Sequence, residues 1–219
     1  VTFKLDANSA KSADNFFSSI RESGKYIGII TRAEALNSQH GTTGLGLSFK
    51  ANDGSTADYL DIYTTKANGD VLMGMKTVNA LLACLKLREI RDSRIKYEKW
   101  NKDTKKREMV EMPGYPDLMG KPIGLLLQKE LGTNDQTGAD TEKMVIFGVF
   151  NADTELTASE ILEGKTKPER LSKMLEALIA RPIRDNRTRG RSTAPAPRAA
   201  SQHTSTGTGF DDMDDDIPF

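Results

Sequence analysis

The chain has 219 residues, with 31 Lys and Arg against 31 Asp and Glu, so its formal net charge is zero, and 37% of it is hydrophobic. That length suits one domain with extensions or two small domains, and the composition excludes collagen-like, disulfide-rich and wholly disordered chains. A single cysteine, Cys84, excludes an internal disulfide, and the two histidines, His40 and His203, lie too far apart in sequence to suggest a metal cluster. The apolar runs are too short to span a bilayer. No charged-then-apolar signal segment opens the chain, so a cytoplasmic, reducing setting is expected.

Residues 1–24 are polar and mixed, with Phe16, Phe17 and Ile20 forming a short helical apolar patch. Tyr26–Ala35 then reads as a strand rich in Ile and Thr, ending in a polar turn at 37–43. Leu45, Leu47 and Phe49 alternate with Gly46, Ser48 and Lys50, the period of a half-buried strand. Asn52–Ser55 is a turn, since Asn, Asp and Gly tolerate the left-handed region. Ala57–Thr65 forms a third strand, with Leu60 and Ile62 on one face and Tyr59, Asp61 and Tyr63 on the other. The three strands predict an antiparallel meander.

Asp70 is placed to cap a helix. Val71, Met75, Val78, Leu82 and Leu85 mark its apolar stripe, and Cys84 beside that stripe reads as a small buried hydrophobe. Arg94–Trp100 and Lys105–Met112 form a hairpin turning at 101–104. Lys121–Leu131 and Lys143–Phe150 are two further strands. Thr157-x-x-Glu160 and Thr166-x-x-Glu169 both match the capping box. The second opens a helix with Leu171, Met174, Leu175, Leu178 and Ile179 on one face. That helix is expected to pack on the barrel, with a dimer contact as the alternative, and the oligomeric state is left open.

Five or more strands with one helix between the third and fourth is the element order of a five-stranded OB-fold-like barrel. The expected fold is mainly β: that barrel with an inserted β-hairpin, a C-terminal helix and a disordered tail. Charge divides the chain further. Residues 1–180 balance to zero, residues 181–209 carry six arginines against Asp185, and residues 210–219 carry five aspartates and no base. Three segments are therefore expected: a domain at 1–180, a disordered Arg/Ser/Thr/Pro-rich linker at 181–209 and an acidic interaction tip at 210–219. In the tip, aspartates keep the segment solvated while Ile217, Pro218 and Phe219 present apolar groups, a design suited to an apolar hole flanked by Arg or Lys.

The sequence Asp214–Phe219 (DDDIPF) resembles the acidic tip of bacterial single-stranded DNA-binding proteins. Gly24–Leu36 (GKYIGIITRAEAL) with Gly41–Lys50 (GTTGLGLSFK) is similar to bacteriophage single-stranded DNA-binding and DNA-metabolism proteins. The resemblance implies an OB-fold that binds single strands and a flexible linker. It also implies that Asp214, Asp215, Asp216, Ile217, Pro218 and Phe219 recruit replication, recombination and repair enzymes.

A sequence-tolerant strand binder needs aromatic faces for bases and cations along the phosphates. Tyr59 and Tyr63 are candidate stacking platforms, set against packing under a loop. In the hairpin, Arg94, Lys96 and Lys99 interleave with Tyr97 and Trp100, set against an ordinary solvated ribbon. Arg32, Lys50 and Lys121 at strand ends complete the candidate DNA-binding set. No catalytic residue, metal or cofactor is expected. A nuclease reading of Asp117 with Glu163 and Lys165 is the enzymatic alternative. A strand-annealing protein, or an adaptor recruiting host enzymes without coating DNA, is the other, and RNA binding is open.

Overall fold

The computed structural model describes residues 4–5, 19–101, 104, 106–134 and 137–187, without the side chains at 99, 100, 101 and 107. Strands dominate: β1 (Gly24–Asn37), β2 (Thr43–Ala51), β3 (Thr56–Thr65), β4 (Ser93–Asn101), β5 (Lys106–Gly114), β6 (Pro122–Thr133), β7 (Asp140–Phe150) and β8 (Ile183–Asp185). Helix α1 (Gly74–Cys84) follows β3; α2 (Ala158–Leu162) and α3 (Arg170–Ala180) follow β7. No described helix is long and apolar enough to cross a membrane.

β1 organises the sheet. It pairs antiparallel with β2 from Gly28 to Asn37, and a register shift at Ile30–Arg32 marks an irregularity there. On its other side, Gly24–Ile29 pairs with β6, and Glu34 then pairs with Gly114 of β5. One long strand therefore carries two neighbours in succession, so the β4–β5 ribbon departs from the sheet where β6 leaves off. The path β3-β2-β1-β6-β7 is continuous, and β7 comes alongside β3. No ladder joins those two among the described residues, so the sheet stays open there.

The period-two pattern of β2 sends Leu45, Leu47 and Phe49 into the core with Leu60 and Ile62 of β3, Leu81 and Cys84 of α1, and Ile123, Leu125 and Leu127 of β6. β6 is buried on both faces, as its continuous apolar run requires. Its second face, with Leu126, joins Phe150 and the α3 residues Leu171 and Leu178 in a smaller core. At a transfer free energy of about 25 cal/mol per Å² of apolar surface, these two clusters are the main source of stability. The Asn151 side chain donates to the Cys84 carbonyl at 2.9 Å, tying the end of α1 to the end of β7.

Several expectations are corrected. Asp70 caps no helix. Its carboxylate accepts from the Asn68 amide at 2.8 Å, while Thr65 and Val71 form a bridge that prolongs β3. The helix starts a turn later, at Gly74, and Val71 is exposed. Ile20 is core, but on a segment whose amide bonds to the Thr56 carbonyl at 2.7 Å rather than on a helix; Phe16 and Phe17 lie outside the described residues. Residues 181–187, expected as the start of the linker, instead hold β8, which runs parallel to Lys129–Leu131 of β6. Arg184 pairs with Glu130 at 3.3 Å and Arg187 with Asp140 at 3.1 Å, so these arginines are anchored by acids distant in sequence.

The first capping box forms at Thr157 and Glu160, but the second does not: Glu169 stands at the N-cap of α3 without a side-chain cap bond. Glu160 serves both helices. Its carboxylate accepts from the Thr157 amide at 2.9 Å and hydroxyl at 2.8 Å, and from the Glu169 and Arg170 amides at 2.7 and 2.8 Å. Burial pushes this carboxyl up, but those donors outweigh it and hold it at about 2.

Candidate nucleic-acid interface

The outward face of the β1–β2–β3 meander is narrow in its middle strand. Gly44, Gly46 and Ser48 of β2 lie between Leu36, Glu34 and Arg32 of β1 and the side of β3 that carries Asp61 and Tyr63. Gly46 leaves room there for the Glu34 and Leu36 side chains, which fold across the strand: a Cβ would stand 3.0 Å from both and they would have to yield.

Arg32 is the centre of this face. It is only 5% exposed, yet its guanidinium lies 5.2 Å from the ring centroid of Tyr59 and 5.4 Å from that of Tyr97. Glu34 neutralises it at 3.3 Å, and the Leu47 carbonyl accepts from it at 3.4 Å. The Tyr97 hydroxyl donates to the other Glu34 oxygen at 3.0 Å. The Arg32 Nε has no hydrogen-bond partner in the protein, an uncommon state for a buried donor. Burial raises the Tyr97 hydroxyl above its ordinary range; Arg32 partly opposes this and Glu34 adds to it.

Tyr59 reaches this arrangement through its backbone. Its φ is 58°, in the left-handed region, at the register shift between the β2 partners Leu47 and Phe49. A non-glycine residue in that conformation costs about 1–2 kcal/mol. The bulge turns Asp58 and Tyr59 outward together, leaving the Tyr59 ring 63% exposed above Arg32. Tyr63, farther along the strand, is 43% exposed. Asp61 stands between them; burial raises its carboxyl, partly opposed by Arg32.

Beside Tyr97 opens a cleft of about 410 Å³, lined by Arg32, Ser48, Lys50, Thr56, Asp58 and Glu98 among others. The structure thus brings together Arg32, Lys50, Tyr59 and Tyr97 of the expected set, with Tyr63 on the same sheet face. It does not bring in Arg94 and Lys96 of the hairpin. Ile95 and Tyr97 of β4 are buried, whereas the alternate residues Arg94 and Lys96 are exposed and pair with Glu111 at 3.6 and 4.0 Å. Lys121 is half-buried just before β6. The side chains of Lys99 and Trp100, and all of Asp214–Phe219, lie outside the described residues. Glu34 was missed from sequence; its signal was alternation with Arg32 on one strand face.

The residues of the enzymatic alternative take part in hydrogen bonds and ion pairs. Asp117 accepts from the Arg91 amide at 3.3 Å, while Glu163 pairs with Lys165 and Arg170. Among the described residues no group of three or more His, Cys, Asp and Glu is placed to hold a metal. Cys84 is fully buried, which pushes its thiol up to about 12 and removes it as a nucleophile at neutral pH. No protein-family model matches the chain, and no curated protein matches it.

Proposed function

We propose that the chain is a non-enzymatic single-stranded DNA-binding protein, built on an OB-fold-like barrel, that coats exposed strands and recruits partner enzymes through its acidic tip. The observation that carries this reading is Tyr59, lifted outward on a strained bulge and underpinned by the Arg32 guanidinium, with Tyr63 on the same face. An exposed ring on a rigid strand is what base stacking uses, and it tolerates any base. The path β3-β2-β1-β6-β7, with α1 leaving β3, supports the OB-like assignment. In this reading the β4–β5 ribbon flanks the strand path, and Tyr97 fixes Arg32 in place.

The test is anisotropy of a labelled oligo(dT) titrated with the full chain, beside the same length of duplex. Binding of the single strand at moderate salt with weaker binding of duplex supports the reading; no single-strand binding at low salt overturns it. Asp58 and Asp61 beside the tyrosines favour a second reading, in which this face contacts a protein and the chain is an adaptor. Capture of partners by the tip with no oligo(dT) shift would establish that reading instead.

A further inference from the structure

A second cavity lies away from the tyrosine face. It measures about 810 Å³ and sits between α1, β7, the start of α2 and the first turns of α3. Its floor is apolar, with Ala80, Phe147, Val149 and Met174. At Gly148 the Met174 methyl lies close over the strand: a Cβ there would stand 2.3 Å from it and would push that side chain aside. Phe147 is 38% exposed in the described residues. Around the floor stand four cations, Lys76, Lys165, Arg170 and Lys173. Lys165 and Arg170 are shared with Glu163, and Lys165 also with Glu169. Lys76 and Lys173 have no ion-pair partner among the described residues.

We infer that this cleft docks the chain's own segment 210–219, with Ile217 and Phe219 on the apolar floor and the aspartates against Lys76, Lys173 and the α3 end. Charge complementarity carries the assignment: residues 210–219 hold five aspartates, no base, and four apolar side chains besides Pro218. A solvated acidic run with apolar groups beside it fits a greasy floor ringed by lysines. Chain length permits it. Helix α3 and residues 181–187 place Arg187 within about 40 Å of the cleft, and residues 188–209 reach about 70 Å when extended. The cleft shares no lining residue with the cleft beside Tyr97, so docking there leaves the proposed stacking face open. The inference is independent of DNA binding.

The experiment uses the full chain carrying Met213→Cys with a nitroxide attached; the buried Cys84 stays unlabelled, checked on the unsubstituted chain. Apart from the residues flanking 213, loss of amide signal centred on 76–80, 147–149, 165 and 170–174 is expected, and Lys76→Glu with Lys173→Glu should restore it. High salt on the chain without those two changes should restore it as well. Signal loss centred on Tyr59 and Tyr63, loss spread evenly, or loss insensitive to both charge reversal and salt would overturn the assignment. A mixture of spin-labelled unenriched chains and isotope-enriched unlabelled chains separates the sources: equal loss there makes a second copy the occupant and overturns docking within one chain.

Discussion

Tyr59→Gly separates a structural ring from a stacking ring, because the two roles predict different readouts. The backbone at 59 has φ 58°, so glycine removes about 1–2 kcal/mol of strain. Against this, the ring loses its contact with the Arg32 guanidinium at 5.2 Å, worth about 0.5–1 kcal/mol at an exposed site. Glycine in a strand also adds about 0.5–1 kcal/mol of unfolded-chain entropy. These contributions nearly cancel, so Tm should move by no more than about 4 °C for a body of this size. Stacking of one base on the ring is worth about 1–3 kcal/mol. Affinity for labelled oligo(dT), read by anisotropy, should therefore fall about 5- to 150-fold while the melt stays in place. Wild-type affinity in a folded Tyr59→Gly chain would refute the stacking role. A collapse of Tm by more than 10 °C would refute the strain argument.

Glu160→Ala should lower stability by about 2–4 kcal/mol, since two helix starts lose their shared acceptor; thermal melts should read this as roughly 5–15 °C. The Glu160 carboxyl stands at about 2 in the folded chain against an ordinary 4.5. Its contribution is therefore complete above about pH 4.5 and lost as pH falls from there toward 2. Denaturant melts of Glu160→Gln across that window should show a smaller acid-induced loss than the wild type. Cys84 should resist an aromatic disulfide reagent at pH 8 in the native state and react at once in denaturant, as its burial and raised thiol pKa require. The plot of log affinity for oligo(dT) against log salt should have a slope shallower than about −3, because the Arg32 cation is already neutralised by Glu34 at 3.3 Å.

Alternation and turn chemistry are local, so the strands were legible in the chain itself. Leu45, Leu47 and Phe49 face the core as their spacing demands, and the Asn52–Ser55 turn closes with Asp53 accepting from the Ser55 amide at 2.8 Å. The charge division is equally a property of sequence: a balanced 1–180, a basic 181–209 and an acidic 210–219 follow from counting. Partners distant in sequence decided the rest. Asp70 lost its cap because the Thr65–Val71 bridge competed for the same backbone. Thr166 lost its capping box because Glu160, nine residues before Glu169, supplied a better acceptor. Residues 183–185 became a strand only because the edge of β6 was open beside them. Sequence named Arg32 and Tyr59 as candidates one at a time. Their stacking needed a bulge in β3, the ladder that aligns β2 between them and a hairpin delivering Tyr97. The acidic tip was plain in the sequence; the basic cleft proposed for it exists only where α1, β7 and α3 meet, because Lys76 comes from α1 while Lys165, Arg170 and Lys173 come from α3 and the segment before it, about ninety residues later.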